Sequence, residues 1–218
     1  MRMLLGVKFI PVVLLCAAVG LAQQGPSASS PAEPRPFDLP VAVAQGRRVI
    51  AFEFPVAGFK YHIARNGLGN RTDGDSPARP FNLHLSKGDY IRALYYADYQ
   101  GDAVLLIEVS NGAYGAGFIV RVGGALPDIK WKQAIPAINV GRGLMEGDFA
   151  YVTAKRLVAK VNLRSGSYAW RHEDLGAAFD AFDAPGLDGN TVVFPARRLS
   201  GGSKAVRADK GTGRIFSP

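Results

Sequence analysis

Three histidines have the widest chemical range of the residues in this sequence, because imidazole can ligate a metal or transfer a proton near neutral pH. They are His62, His84 and His172, and each stands alone in or beside a short apolar stretch. Histidine-based metal sites bring their ligands together at short spacings such as HExxH, and no spacing of that kind occurs here. We therefore expect three separate structural or surface histidines and no metal site.

Serine and carboxylate side chains occur in sequences that are typical of turns. The segments RSGSY (164–168) and LSGGS (199–203) lack the Gly-x-Ser-x-Gly spacing that exposes a nucleophilic serine. The carboxylates of 70–75 and 180–188 lack the ligand density of an EF-hand or a repeat-type calcium loop. These patterns predict solvated loops, and we expect no catalytic residue and no cofactor.

Tyrosines are concentrated between residues 90 and 99. Tyr95, Tyr96 and Tyr99 are candidate binding residues, because aromatic rings can stack on a sugar or a peptide. Along a strand, Tyr96 would share one face with Tyr90, while Tyr95 and Tyr99 would share the other. Core packing remains the alternative, since aromatic residues are enriched in strands for packing reasons alone.

Residues 1–22 have the layout of a secretory signal peptide. A charged start is followed by an apolar run at 9–19 and by the small-residue cleavage site Gly-Leu-Ala at 20–22. The apolar run is too short to span a bilayer comfortably. We expect cleavage after this segment, no stable membrane span and a periplasmic or secreted protein. The only cysteine, Cys16, would be removed, so the mature chain would contain no disulfide.

The composition changes after the signal peptide. Residues 23–44 begin with QQGPSASSPAEPRPFDLP, which is rich in Pro and Ser and poor in large apolar residues. Such a segment buries too little surface to offset its ordering entropy, so the sequence predicts a flexible tether. Residues 45–218 have the length and apolar content of a single domain.

The net charge of the chain indicates which kinds of binding partner it attracts. The full chain carries a formal charge of +8, and its basic residues are scattered rather than gathered in long runs. A basic protein is attracted to anionic partners, but an exported chain is not expected to meet nucleic acid. We expect the partner to be a protein or an anionic envelope polymer.

The second half of the chain contains three similar units, at 101–132, 147–173 and 189–216. Each begins with Gly-Asp or Gly-Asn and continues with short apolar stretches and Gly-containing turns. The leading glycines are 46 and 42 residues apart. Periods near 40–50 residues with several strands per unit are typical of β-propeller blades, so we expect an all-β, propeller-like array of about four antiparallel blades. An antiparallel β-sandwich is the alternative.

The first half is less regular. RVIAFEF (48–54) and FKYHIAR (59–65) are predicted to pair as a hairpin. The chain stops soon after the last strand of the third unit, so we expect a closing strand from the N-terminal half or from a second chain. An incomplete ring that forms a homo-oligomer is left open.

The stretch DFAYVTAKRLVAKVNLRSGSYAWRHEDL resembles one blade of the quinoprotein-type (pyrroloquinoline-quinone) propeller repeats, with Gly166 in the turn and Trp170 after it. In the last unit Asp209 and Gly213 match the same pattern, and in the first unit Trp131 matches. The resemblance covers about residues 101–218, and its degenerate turn and strand signals indicate a fold more than a function.

The enzymes of that family would bring a bound quinone, a calcium ion and, in the larger alcohol dehydrogenases, an adjacent cysteine pair. This chain has no cysteine pair and no motif onto which those site residues can be placed. The same family includes scaffold propellers of bacterial outer-membrane assembly, which is an analogy of fold. We expect a non-catalytic binding or scaffold module, with a small sugar- or cofactor-binding enzyme component of quinoprotein type as the alternative.

Overall fold

The chain folds almost entirely as short β-strands. A computed structural model describes residues 33–197 and 204–216, and these residues form eighteen strands and one short 3-10 helix, Ala177–Phe179. The strands are β1 (Arg35–Pro36), β2 (Val41–Gln45), β3 (Arg48–Val56), β4 (Phe59–Ala64), β5 (Leu68–Thr72), β6 (Arg79–Asn82), β7 (Tyr90–Tyr99), β8 (Asp102–Ser110), β9 (Gly115–Val122), β10 (Ile129–Ile135), β11 (Leu144–Glu146), β12 (Phe149–Ala154), β13 (Leu157–Asn162), β14 (Tyr168–His172), β15 (Gly186–Asp188), β16 (Thr191–Pro195), β17 (Ala205–Asp209) and β18 (Ile215–Phe216).

These strands form four antiparallel sheets, which we call blades 1 to 4. Blade 1 contains β2–β6, blade 2 β7–β10, blade 3 β11–β14 with β1 at its edge, and blade 4 β15–β18. When blade 1 is counted from β3, a glycine occupies the tight turn between the first and second strands of every blade: Gly58, Gly101, Gly147 and Gly189. Counted from the strand before that glycine, every blade has four strands in sequence order. β1 and β2 are extra edge strands that the N-terminal segment supplies.

Alternating apolar residues explain why the blades stack. On β13, Leu157, Ala159 and Val161 pack into the cluster shared with blade 2, while Val158 packs towards blade 4. Along β8 all but the last residue are buried, so both faces of blade 2 are covered. A sheet of a two-layer sandwich commonly has one solvated face, whereas blades stacked in series bury two.

Three buried clusters hold the array together, one at each joint between successive blades. Within the described residues, none of these clusters includes residues of both blade 1 and blade 4. The prediction of an all-β, propeller-like array of about four antiparallel blades is confirmed, and the predicted hairpin of the first half is β3 and β4.

The repeat units of the sequence are out of phase with the blades. Each unit begins just before the second strand of a blade, and its last strand, which starts at residue 129, 168 or 215, is the fourth of that blade. Blade 4 takes its first strand, β15, from the residues immediately before Gly189. Blade 4 therefore has its four strands without one from the N-terminal half or from a second chain.

The predicted tether is only partly described. Residues 35–44 contain β1, the fully buried Phe37 and most of β2, so the prediction of a flexible tether is wrong for this part. Backbone pairing with other blades supplies the order that the local composition does not. Residues 23–32 and the predicted signal peptide, 1–22, lie outside the described residues. Within the part of the chain that the structure describes, no helix has the length and apolar character to cross a membrane.

Candidate functional site

Residues 35–40, which we call the strap, run along the first-strand edges of the blades. β1 pairs with β11 of blade 3, and Asp38 then forms an antiparallel bridge with Tyr96 on β7 of blade 2. The chain continues into β2, which pairs with β3 of blade 1. One extended segment therefore connects three blades through backbone hydrogen bonds.

Phe37 anchors the strap. Its side chain is fully buried in the cluster between blades 2 and 3, and its backbone N–H donates to the carbonyl of Gly143 at 2.9 Å. A Cβ at Gly143 would lie 3.0 Å from the Phe37 ring, which explains the need for a small residue there. The guanidinium of Arg142 donates to the Phe37 carbonyl. The strap is held by both packing and hydrogen bonds.

A pocket of about 300 Å³ lies between the strap, the end of β3 and the end of β7. Its charged lining consists of Arg35, Asp38 and Asp98, and the Arg35 guanidinium donates to the Asp98 carbonyl. Tyr96 also lines the pocket, and burial, with the negative charge of Asp38, raises the pKa of its hydroxyl. The Tyr96 hydroxyl therefore stays protonated near neutral pH and can donate a hydrogen bond.

A second pocket, of about 320 Å³, lies against the same β3–β4 hairpin. Its apolar lining is Val41, Phe54, Pro55, Gly58 and Phe59, and Glu53 and Lys60 complete it. The two pockets share Pro55.

Two large apolar side chains of the N-terminal segment lie exposed close to these pockets. Leu39 is 65% exposed and Val41 is 68% exposed. Val41 lines the second pocket, and Leu39 lies between Val41 and Asp38, a lining residue of the first pocket. We call Leu39, Val41, residues 53–60 and the two adjoining pockets the hairpin surface.

A third pocket, of about 340 Å³, lies between blades 2 and 3 and includes Lys155, Arg156, Glu173 and Asp174 in its lining. The two cations pair with Asp180, at 2.8 Å for Arg156 and 3.9 Å for Lys155. The charges of this pocket are therefore largely compensated within the chain.

The three candidate tyrosines do not form one platform. Tyr96 faces blade 1, where its ring stacks on Phe54 with 4.6 Å between ring centroids. Tyr95 and Tyr99 face blade 3, and the buried Tyr99 donates its hydroxyl to Asp148 at 2.6 Å. The structure brings only Tyr96 to the hairpin surface.

Five residues match the propeller-repeat pattern of the sequence, and we call them the repeat-signature residues: Trp131, Gly166, Trp170, Asp209 and Gly213. Four of them form two Trp–Gly contacts. Trp131 of blade 2 donates its indole N–H to the Leu163 carbonyl of blade 3 at 3.1 Å, and a Cβ at Gly166 would lie 2.6 Å from its ring. Trp170 of blade 3 lies in the same way on Gly213 of blade 4, where a Cβ would be 2.5 Å from the ring. These contacts join blade 2 to blade 3 and blade 3 to blade 4.

Asp209, the fifth signature residue, shapes the turn that carries Gly213. Its carboxylate accepts hydrogen bonds from the backbone N–H groups of Thr212, at 2.7 Å, and Gly211, at 3.0 Å. These hydrogen bonds, the one from Thr212 above all, lower the pKa of Asp209. Asp209 thus has a structural task in the last joint.

The histidines remain apart. The ring of His62 lies 3.1 Å from Glu53, that of His172 lies 2.7 Å from the Gly213 carbonyl, and His84 has a positive φ of 51°. Among the described residues, no three His, Cys, Asp or Glu side chains are grouped so that they could hold a metal ion.

The sequence was compared with protein-family models and with curated proteins. A scan against protein-family models finds no match, and a search of curated proteins finds no significantly similar sequence. The chain is defined by its fold, an all-β protein of four successive antiparallel blades.

Sequence reasoning missed Leu39 and Val41, because their segment was assigned to a tether. The signal that could have identified them was the concentration of large apolar residues, Phe37, Leu39 and Val41, at the end of a Pro- and Ser-rich stretch. Their alternation is the period-two pattern of a strand.

Proposed function

We propose that the chain is a non-catalytic binding or scaffold module that holds a protein partner through the hairpin surface. The observation that carries the proposal is the exposure of Leu39 and Val41 beside two pockets that share Pro55. Exposed apolar residues grouped beside pockets and surrounded by polar groups are typical of protein interaction sites.

The energetics support a contact at this surface. Burying a Leu or Val side chain contributes about 1.5–3 kcal/mol, so covering both can account for a useful part of a binding free energy. The strap also reduces the entropic cost of association, because Phe37 and the backbone bonds of Asp38 hold it in place before binding. A partner needs an apolar side chain for the second pocket and a polar or charged group for the first.

The charge distribution favours a protein over an anionic polymer. Asp38, Asp98 and Glu53 line the two pockets together with the cations Arg35 and Lys60. Lys60 pairs with Glu53 at 2.9 Å, and Arg142 lies 3.8 Å from Asp38. A polyanion would meet repulsion from three carboxylates at the points where it would have to approach most closely. A protein segment can match both signs.

Export is part of the proposal, supported by the signal-peptide layout of residues 1–22. The full chain, produced with its own N-terminus and a C-terminal tag, should be recovered from the periplasm or medium starting at Gln23, as N-terminal sequencing would show. Recovery of a chain that still starts at Met1, and only from the cytoplasm, would contradict export without bearing on the binding surface.

Affinity capture from an envelope extract of the source organism tests the binding proposal. We expect one stoichiometric protein that survives washing at moderate salt, and we expect the double variant Leu39→Asp, Val41→Asp to lose it. Leu126→Asp is a matched control, because Leu126 is also 65% exposed but lies in the β9–β10 loop. Equal recovery by the double variant, or no partner with the wild type, would reject the proposal.

A further inference from the structure

One position on the third strand of each blade holds a basic residue. The position is equivalent in the four blades because each basic residue is paired with a residue of the fourth strand of its own blade. The four aligned pairs are Arg71 with Arg79, Arg121 with Trp131, Lys160 with Trp170, and Arg207 with Phe216. Each of the four blades thus has its own cation at this position. In blades 1 to 3 the cation points towards the next blade, and in blade 4 it points away from blade 3.

In blades 2 and 4 the chain itself supplies a carboxylate to this cation. Arg121 lies 2.6 Å from Asp102, the first residue of the second strand. Arg207 lies 3.2 Å from Asp188, the last residue of the first strand. Both carboxylates lie next to the first tight turn of the blade.

In blade 3 the carboxylate is Glu146, again the last residue of the first strand. It accepts a hydrogen bond from Tyr151 at 3.0 Å and pairs with Lys210 at 2.8 Å. Burial lowers the pKa of Lys160, and the negative charge of Glu146 opposes that effect. The Lys160 ammonium also donates to the Lys210 carbonyl of blade 4 at 2.7 Å. The Tyr151–Lys160 pair thus has both an acceptor and a nearby negative charge.

Blade 1 has the same tyrosine and cation but no such carboxylate. Tyr61 and Arg71 are cross-strand partners, as Tyr151 and Lys160 are. The two positions that hold the carboxylates elsewhere are Val56 and Phe59 in blade 1. The Arg71 guanidinium lies over the Phe59 ring at 4.0 Å.

The donors of this pair are buried without acceptors. Arg71 is 4% exposed, and its Nε and Nη1 atoms have no hydrogen-bond partner among residues 33–197 and 204–216. The hydroxyl of Tyr61, which is fully buried, has none either. The charges of Asp102 and Asp98 act on Tyr61, but Asp102 already binds Arg121 and Lys130, at 2.6 and 2.7 Å. Asp98 accepts a hydrogen bond from the Gly101 backbone N–H at 2.9 Å. Buried charges are paired in folded proteins, because an uncompensated one is costly to desolvate.

We propose that the joint between blades 1 and 2 binds a small oxyanion, a carboxylate or a phosphate group, between Arg71 and Tyr61. All three unpartnered atoms are donors, so the ligand that satisfies them must be rich in acceptors. A negative charge adds the compensation that Asp102 gives Arg121 and Asp188 gives Arg207, and that the nearby charge of Glu146 gives Lys160. Charge-assisted hydrogen bonds of this kind are among the strongest in proteins.

Arg79 extends the positive potential to the surface. It stands opposite Arg71 on β6, is exposed, and makes a long hydrogen bond of 3.4 Å to the Ala125 carbonyl of blade 2. A second cation at the outer edge of the joint attracts an anion towards Arg71. This anion site adjoins the hairpin surface, because Arg71 lies over the ring of Phe59, which lines the second pocket. Anion binding by Arg71 and Tyr61 does not depend on the proposed partner.

Titration of the purified chain with inorganic phosphate and with acetate, at constant ionic strength set with chloride, tests the proposal. We expect saturable binding of at least one of them by calorimetry. At a tenfold excess over Kd, we expect a rise in Tm of about 4 °C relative to chloride. Preference for phosphate or acetate would distinguish a phosphate ligand from a carboxylate one. No saturable response to either anion would overturn the proposal.

Substitutions test whether the anion binds at Arg71 and Tyr61. Arg71→Met should abolish anion binding without lowering Tm in chloride, because it removes a buried charge that is paired with no carboxylate in the described part of the chain. Arg207→Met, at the equivalent position of blade 4, should bind the anion as the wild type does. If Arg71→Met does not fold, Tyr61→Phe removes a single donor and should raise Kd about tenfold. Unchanged Kd in the Arg71 or Tyr61 variant would contradict the site.

Discussion

Asp102 shows at the scale of one residue how a buried carboxylate stabilises the joint between blades 2 and 3. Its side chain accepts hydrogen bonds from Arg121, Lys130 and the backbone N–H of Gly124, and Arg121 also donates to the Leu163 carbonyl of blade 3 at 3.1 Å. Burial alone would raise the pKa of Asp102, but these donors outweigh it and hold the pKa below its ordinary value of 3.8.

The pKa of Asp102 predicts a pH dependence of stability. A folded-state pKa below the unfolded one contributes stability above pH 3.8, and this contribution is lost as the pH falls through that value towards the folded pKa. Asp102→Asn should therefore destabilise the chain at pH 7, by about 3 kcal/mol, and the difference from wild type should shrink below pH 4. Urea unfolding at pH 7, 5, 4 and 3 measures both.

Asp188→Asn is the control for this prediction. It breaks the exposed ion pair with Arg207, and we expect unfolding curves close to wild type at every pH. A constant difference between Asp102→Asn and wild type from pH 7 to 3 would contradict the assignment of a depressed pKa to this carboxyl group.

At the scale of the structural elements, the Trp–Gly contacts define how one blade docks onto the next. Gly166 has a positive φ of 77°, and its Cα faces the Trp131 ring. Gly147 also has a positive φ, of 56°, but a Cβ there would meet no atom within 4 Å. Alanine at Gly147 would therefore cost backbone strain alone, whereas alanine at Gly166 would add a collision at the joint between blades 2 and 3.

We predict that Gly147→Ala costs about 1 kcal/mol of unfolding free energy, from the left-handed backbone alone. Gly166→Ala should cost about 3 kcal/mol, because it adds a collision with a packed ring to the same strain. Urea unfolding followed by tryptophan fluorescence gives both values. Equal costs for the two substitutions would show that the Trp131 contact does not stabilise the joint.

The strap makes a separate prediction. Phe37→Ala should destabilise the chain by about 3–5 kcal/mol, because it leaves a cavity between blades 2 and 3. Leu39→Ala, two residues away and largely exposed, should change stability by less than about 0.5 kcal/mol. Thermal or urea unfolding of the two variants measures the difference. A small effect of Phe37→Ala would mean that the strap does not contribute to folding.

Some strands could be predicted from the sequence and others could not. The long strands β7, β8 and β13 follow from alternating or continuous apolar residues, and the glycine of the first turn indicates the period. β11 and β15 have three residues each, too few for a period-two pattern, so the phase of the repeat could not be read from the sequence. β1 could not be predicted, because it forms only by pairing with β11, more than a hundred residues away.

At the scale of the whole molecule, the middle blades bury two faces and the end blades one. The outer face of blade 1 carries Glu53, which pairs with Lys60 at 2.9 Å and lies 3.1 Å from His62. The outer face of blade 4 carries the Arg207–Asp188 pair. Polar outer faces keep the ends of a repeat array soluble.

The candidate site was the least predictable feature. Of the three tyrosines proposed for binding, Tyr96 packs towards blade 1, whereas Tyr95 and Tyr99 pack towards blade 3, since neighbours along a strand face opposite sides. Leu39 and Val41 gain their significance from the path of the strap across the blades, which no local pattern contains. Arg71 could be identified only after the blades were aligned by strand register.

Hydrogen–deuterium exchange of the chain with and without its captured partner tests most directly whether the hairpin surface is the binding site. We expect slowed exchange at residues 39–41 and 53–60 in the complex and unchanged exchange in the β9–β10 loop around Leu126. Protection confined to other parts of the chain, with the hairpin surface exchanging as in the free protein, would contradict the proposed function.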